Sequence, residues 1–147
     1  IRTHTVSPSK GEHEVYRVII EEFCRICELY YNSTGDTKKD AGLRLMRQIK
    51  LLIKACSVPH LISGYYGDDY PSKTRYIDSL IRKIRGKVAI GCTTLAALEL
   101  YEHHIRECFP DRPIYVVKGD VSFKKRQCIV KEFDSTINGI LICTQAQ

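Results

Sequence analysis

Three short apolar runs decide the fold of this chain: VAIGC at 88–92, IYVV at 114–117 and ILIC at 140–143. Between them lie two segments with helical periodicity, at about 94–108 and 122–133. Short buried strands that alternate with helices are typical of a parallel sheet with right-handed crossover connections. The second half of the chain is therefore predicted to be an α/β unit built on a parallel sheet.

The first half of the chain has helical periodicity instead. The spacing Ser9-x-x-Glu12 is that of a capping box, which predicts the start of a helix. Further helices are predicted at about 37–56 and about 72–85. The helix at 37–56 has an apolar stripe made of Leu45, Ile49, Leu52, Ile53 and Cys56. Residues 60–71, rich in glycine, aspartate and tyrosine, are predicted to form the boundary between the two halves.

The positive charge of the chain is unevenly distributed. Its 147 residues carry a formal net charge of +6. Residues 37–56 and 73–87 each hold six basic residues against one acid, so that the rest of the chain is slightly acidic. Two basic segments indicate an anionic partner such as a nucleic-acid backbone. The alternative is that both segments are solvated helix faces, and charge alone does not separate these two interpretations.

The composition disfavours membrane and secreted proteins. No uninterrupted apolar stretch approaches the roughly 18 residues of a membrane span. No leader suggests secretion, so an intracellular location is expected, either cytoplasmic, nucleoid or nuclear. The chain begins at Ile1 rather than at a methionine, which suggests a piece of a longer protein.

The cysteine pattern does not predict a disulfide framework or a metal site. There are seven cysteines, an odd number. Cys24 and Cys27 form a CxxC pair, but no second pair follows at zinc-ligand spacing, and His103 and His104 are far away in sequence. The cysteines are therefore interpreted as small apolar residues in a reducing compartment.

Candidate functional residues follow each predicted strand. In an open parallel sheet, ligands gather at the carboxyl ends of the strands. Here those ends are followed by Thr93-Thr94, Lys118-Gly119-Asp120 and Thr144-Gln145, whose hydroxyl and backbone groups suit phosphate oxygens. Gly119 permits a positive φ or a close backbone approach.

Two residues beyond the second strand add to this candidate site. Ser122 can cap the following helix, and Arg126, about one turn further on, can reach back toward the loop. The alternative interpretation is purely structural: Ser122 caps the helix, Arg126 pairs with Asp120, and Gly119 turns the chain. From spacing alone both interpretations stay open.

Motifs of a complete catalytic site are missing from the sequence. There is no Gly-x-x-x-x-Gly-Lys-Ser/Thr loop, no strand that ends in an acidic pair able to hold Mg²⁺, and no Gly-x-Ser-x-Gly elbow. The chain is therefore predicted to have no catalytic residues of its own.

The order of these elements resembles that of Swi/Snf-related ATPases, the helicase-like DNA translocases of superfamily two. From Pro71 onward the chain looks like the start of their second RecA-like lobe. The resemblance lies in Lys87–Ile90 with Cys92-Thr93 (motif four), in Val117–Ser122 with Arg126 and Phe133 (the "GxxSxxxRxxxIxxF" signature), and in Ile140–Thr144 (motif five). The helical half is similar to the family's "LtPeQxxlY" and "LRxxcnHPxL" segments, at Val6–Tyr16 and Leu43–Leu61.

This resemblance implies a division of the chain and a function. Residues 1–70 would be a helical lead-in, and residues 71–147 the first part of a RecA-like lobe of the P-loop NTPase type, truncated at motif five. The parent would be an ATP-dependent translocase on double-stranded DNA, with ATP and Mg²⁺ bound mainly outside this chain and with its first RecA-like lobe as a partner. The residues that the resemblance places on the DNA backbone are Thr93, Gly119, Ser122, Arg126 and Thr144.

Two alternatives to a DNA translocase remain. Related motors that act on RNA share the Gly…Arg loop and the motif five threonine, so that the parent could be an RNA helicase. The chain could also be a non-enzymatic module that binds nucleic acid or docks its basic helix on an acidic protein surface.

Overall fold

Helices fill the first part of the chain and alternate with strands in the second. The computed structural model describes residues 3–68 and 70–144; Asp69 and Gln145, which the sequence places in the boundary segment and at a strand end, lie outside them. The elements are α1 (Lys10–Asn32), α2 (Gly35–Ser57), a 3₁₀ turn (Pro59–Leu61), α3 (Ser72–Lys83), β1 (Val88–Cys92), α4 (Leu95–Cys108), β2 (Ile114–Val117), α5 (Phe123–Ser135) and β3 (Ile140–Thr144). None of the described helices is long and apolar enough to cross a membrane.

The chain forms two compact units, Ile1–Lys73 and Thr74–Gln147. The second unit contains a parallel sheet of three strands in the order β1-β3-β2. β3, the last of the three described strands in sequence, therefore lies between the other two. The prediction of a parallel-sheet α/β fold, of the kind found in a partial RecA-like lobe, is confirmed.

The core of the second unit is formed by the central strand and by α4. Ile140 and Ile142 of β3 are fully buried, and so are Leu98 and Ile105 of α4. Helix α4 starts at Thr94, whose side chain accepts a hydrogen bond from the backbone N–H of Ala97. Ile140 and Ile142 are two residues apart and share one face of the sheet, whereas the residues on the other face of β3 are only partly buried and those of β1 are exposed.

The first unit is built from α1 packed against α2. Val15 and Ile19 of α1 form a buried cluster with Ala55 of α2, and Leu52 and Tyr65 pack against it. The predicted capping box of α1 is present. The position of the apolar stripe on α2 was predicted wrongly.

The buried side of α2 carries smaller residues than the sequence pattern indicates. Ala41 and Ala55 are its buried residues, whereas Ile49 and Ile53 are 40% and 45% exposed and Cys56 is also exposed. Alanine lets two helix backbones come close together, so that the face with the least side-chain volume can be the one that packs. The period of the stripe was correct, and Leu52 packs against the buried cluster, but most of the other residues of the stripe are exposed.

Within the first unit, Glu12 connects the start of α1 with Ser72. Its Oε2 accepts hydrogen bonds from the backbone N–H of Ser9 (2.6 Å) and from the hydroxyl of Ser72 (2.5 Å). Its Oε1 accepts one from the backbone N–H of Ser72 (2.9 Å), the first residue of α3. Burial raises the pKa of this carboxyl, but the hydrogen bonds from Ser72 and Ser9 outweigh burial and hold the pKa below its ordinary value of 4.5.

The low pKa of Glu12 predicts that acid destabilises this unit. A carboxyl whose pKa is lower in the folded than in the unfolded chain stabilises the fold fully above its ordinary pKa, and this contribution is lost as the pH falls through the folded value. We expect Glu12→Gln to cost about 1 kcal/mol of unfolding free energy at neutral pH and to flatten the stability profile below pH 4.5. Urea unfolding across that range measures both. Glu28→Gln, at an exposed position of α1, should leave the profile unchanged; an equal effect of the two changes would contradict this role of Glu12.

Candidate nucleic-acid interface

The carboxyl ends of all three strands meet at one edge of the sheet. Cys92 of β1 is paired with Thr144 of β3, and Val117 of β2 is paired with Cys143. Thr144 therefore lies on the central strand, between the loop that begins with Thr93 and the loop that begins with Lys118. The structure thus brings together the three strand-end segments that the sequence predicts as candidates.

Arg126 spans the loop that follows β2. Its Nε donates a hydrogen bond to the carbonyl oxygen of Val121 at 2.7 Å, and its Nη2 donates one to the carbonyl oxygen of Gly119 at 2.5 Å. No described residue accepts a hydrogen bond from Nη1 or forms an ion pair with Arg126, Asp120 included. The alternative in which Arg126 pairs with Asp120 is therefore not what the structure shows. The guanidinium thus holds two carbonyl groups of the loop, and the N–H groups of Nη1 remain able to donate to a further acceptor such as a phosphate oxygen.

Gly119 is exposed and has ordinary backbone geometry. The glycines with positive φ in the described chain are Gly35 and Gly64, so that the left-handed conformation considered for Gly119 is not adopted. A Cβ added at Gly119 would meet no atom within 4 Å. The space beside this glycine is therefore open to a ligand.

Two helix starts lie beside these loops. Ser122 is the N-cap of α5, and its hydroxyl accepts a weak hydrogen bond from the backbone N–H of Lys125 at 3.5 Å. Thr94 caps α4 immediately after the exposed Thr93. Helix starts present backbone N–H groups and a partial positive charge, both of which suit phosphate.

Phe123 is a neighbour of this site that sequence reasoning missed. It is the first residue of α5, directly after Ser122, and it is 75% exposed. Single exposed aromatic side chains are common on protein surfaces, so that Phe123 relates to this site by its position beside Ser122 rather than by its exposure. The sequence does contain a signal for the exposure of Phe123. The helical period of α5 places this residue outside the apolar stripe of the helix, directly after the N-cap.

The Cys92 thiol at the end of β1 is not activated. Burial, with a smaller contribution from Cys143, raises the pKa of the Cys92 thiol to about 11. A thiol with such a pKa stays protonated at neutral pH and is a poor nucleophile. The chemistry that this edge of the sheet offers is hydrogen bonding and positive charge.

The two basic segments contain both paired and solvated side chains. On α2, Lys39 pairs with Asp36 and Arg44 with Glu22, whereas Arg47 and Lys50 are exposed. In the segment 73–87, Lys87 pairs with Asp134. The charge excess of each segment is thus only partly neutralised by acidic side chains.

The chain has no counterpart among protein-family models or curated proteins, but solved structures match it closely. The C-terminal domain of a Sulfolobus solfataricus SWI2/SNF2 ATPase superposes with a TM-score of 0.72 at 16% identity, over 97% of this chain and 61% of that one. The chain has the fold of a SWI2/SNF2 ATPase C-terminal lobe. The C-terminal part of the Fun30 ATPase domain matches with a TM-score of 0.68 at 13% identity, over 96% of this chain and 66% of that one.

A third match includes nucleic acid. The Sulfolobus solfataricus SWI2/SNF2 ATPase core in complex with dsDNA superposes with a TM-score of 0.70 at 16% identity, over 97% of this chain and 30% of that one. This chain spans about three fifths of the SWI2/SNF2 C-terminal domain and a smaller share of the ATPase core. The likeness of this fold to those structures agrees with the resemblance found in the motifs of the chain.

Proposed function

We propose that this chain is part of an ATP-dependent translocase of the Swi/Snf type and that it holds the backbone of double-stranded DNA. The observation that carries this proposal is the meeting of two phosphate-suited loops at one edge of the sheet, with Thr144 of β3 between them. The fold that it shares with a DNA-bound SWI2/SNF2 ATPase core supports the same function. Such an enzyme acts where DNA is, in a nucleus or a nucleoid.

Each proposed contact is to the phosphate backbone rather than to a base. The hydroxyls of Thr93, Ser122 and Thr144 can donate hydrogen bonds to phosphate oxygens. Gly119 has no side chain, so that a phosphate can approach its backbone closely. The guanidinium of Arg126, which is hydrogen-bonded to the carbonyl oxygen of Gly119, supplies positive charge beside that position. Contacts of this kind give affinity without reading sequence, which suits a motor that must step over any sequence.

ATP and Mg²⁺ do not belong to the site that these residues form. Within the described residues, the strand-end loops hold a single carboxylate, that of the exposed Asp120, and no glycine-rich phosphate loop. Mg²⁺ sites in such enzymes need carboxylate ligands beside the substrate phosphates. We therefore assign nucleotide binding to another part of the parent protein, its first RecA-like lobe, on which this lobe would close.

A duplex titration with two matched glycine variants tests the proposal. We expect the 147-residue chain to bind labelled duplex DNA weakly and without sequence preference, with an affinity that falls steeply between about 50 and 200 mM salt. Gly119→Glu should abolish this binding, because it places a carboxylate where the phosphate would lie. Gly86→Glu is the control: an added side chain meets no atom within 4 Å at either glycine, so that both variants should fold.

The possible results separate the competing functions. Binding that does not change with salt would contradict a phosphate site. Loss of binding in Gly86→Glu but not in Gly119→Glu would indicate that the DNA contact lies at the basic segment 73–87 instead. Clearly stronger binding of duplex RNA than of duplex DNA would favour an RNA helicase.

A further inference from the structure

We propose that Asp78, His104 and Cys108 form a binding site for a zinc ion within the second unit. Asp78 belongs to α3, whereas His104 and Cys108 lie four residues apart on α4. One ligand atom from each residue lies within 4.8 Å of the other two. Carboxylate oxygen, imidazole nitrogen and cysteine sulfur are the ligands that zinc takes in proteins.

The distances in this cluster are close to those of a tetrahedral site. Zinc binds sulfur at about 2.3 Å and nitrogen or oxygen at about 2.0–2.2 Å, so that ligand atoms in a tetrahedron lie roughly 3.3–3.7 Å apart. The Sγ of Cys108 is 3.7 Å from the Nε2 of His104. The same Nε2 is hydrogen-bonded to the Oδ2 of Asp78 at 2.6 Å. These two atoms must separate by less than 1 Å to admit a metal in place of the hydrogen they share.

His104 is buried, Asp78 and Cys108 are half-buried, and one carboxylate oxygen of the cluster has no hydrogen-bond partner among the described residues. The side chain of His104 is 9% exposed and that of Asp78 is 18% exposed. The Oδ1 of Asp78 is buried and accepts no hydrogen bond from any described residue. A buried carboxylate oxygen without a donor is costly, and coordination to a cation is one of the few ways to satisfy it.

The charges around the cluster suit a divalent cation. The carboxylate of Asp78 and the thiolate that Cys108 becomes on losing its proton to solvent together balance the charge of Zn²⁺. Besides Asp78, the charged groups that act on the thiol are Arg82 and Glu107, which are opposite in sign. The guanidinium of Arg82 lies over the ring of Phe109, 5.0 Å from its centroid. Three protein ligands leave the fourth position of the metal for water or another ligand.

The sequence contained half of the signal for this site. His104 and Cys108 have the i, i+4 spacing that places two ligands on one face of a helix. Sequence reasoning compared the histidines with the CxxC pair of α1 instead. The third ligand, Asp78, comes from another helix, so that only the folded chain reveals the set.

Titration of the reduced, metal-free 147-residue chain with Co²⁺, and with Zn²⁺ as competitor, tests this proposal. We expect one Co²⁺ to bind per chain, with a thiolate-to-metal charge-transfer band and the intense d–d bands of a tetrahedral site. Zn²⁺ should displace it and raise the Tm. Cys108→Ser, His104→Gln and Asp78→Asn should each weaken Zn²⁺ binding by at least about tenfold.

The control variants exploit neighbouring residues of the same type. Cys128→Ser and His103→Gln change an exposed cysteine on α5 and the exposed histidine beside His104, and both should bind Co²⁺ like the unchanged chain. Circular dichroism verifies the fold of every variant, and Cys108→Ser, which is nearly isosteric, decides the matter if His104→Gln does not fold. The proposal is overturned if no one-to-one complex forms, if the charge-transfer band survives in Cys108→Ser, or if the band disappears when Cys24 and Cys27 are replaced by serine.

Discussion

Replacing Arg126 by alanine is expected to lower DNA-stimulated ATP hydrolysis about a hundredfold in the longer protein that we propose contains this chain. The guanidinium holds the carbonyl oxygens of Gly119 and Val121 from one side of the loop. Without it the loop loses both contacts, and a displacement of about 1 Å at a positioned group can cost a factor of this size. Steady-state turnover with and without duplex DNA measures the effect.

Two further variants show how Arg126 acts. Lys131→Ala removes an exposed positive charge from the same helix and should leave turnover unchanged. Arg126→Lys keeps the charge but cannot reach both carbonyl oxygens in the same way. Turnover as low as that of Arg126→Ala would identify Arg126 as a positioning residue, and partial recovery would indicate a direct phosphate contact. Unchanged turnover in Arg126→Ala would remove the residue from the site.

Replacing Arg112 by alanine is expected to lower the free energy of unfolding by about 3 kcal/mol. This arginine lies between α4 and β2, and its guanidinium donates hydrogen bonds to four backbone carbonyl groups. The acceptors, with their distances, are Asn138 (2.7 Å), Gly86 (2.6 Å), Ile81 (3.3 Å) and Ile84 (3.2 Å). One side chain therefore connects the end of α3 with the segments that precede β1 and β3.

The loss should be large because one substitution removes four hydrogen bonds at once. Burial lowers the pKa of the Arg112 guanidinium, but arginine stays charged at neutral pH, and hydrogen bonds from a charged donor are stronger than neutral ones. Urea unfolding of the 147-residue chain measures the change. Arg106→Ala, which breaks an exposed ion pair with Glu102, should cost less than about 1 kcal/mol. Equal losses in the two variants would contradict the role of Arg112.

The strands were predictable because their signal is local. Val88–Cys92 and Ile114–Val117 are observed as predicted, and β3 extends one residue further, to Thr144. A buried strand of a parallel sheet is apolar along its whole length and is bounded by turn-forming residues, and both properties can be read from neighbouring positions. The reach of Arg126 back to its own loop was predictable for the same reason, because its acceptors lie only five and seven residues away.

The features that sequence reasoning missed depend on contacts between distant residues. The acceptors of Arg112 are backbone oxygens, which every residue has, so that no pattern of side chains marks them. Asp78 and His104 are 26 residues apart on different helices. The buried face of α2 was mistaken because the choice between Ile49 and Ala55 depends on how closely α1 approaches.

The central position of β3 has a consequence for the folding of this protein during its synthesis on the ribosome. β1 and β2 are made first, yet among the described strands neither pairs with the other; each pairs with β3. The pairings of β1 and β2 that the described residues show can therefore form only after Ile140–Thr144 has left the exit tunnel. Apolar strands held open during synthesis are targets for chaperones and for wrong pairing. Of the three described strands, β3 is synthesised last, and its synthesis allows both of these pairings to form.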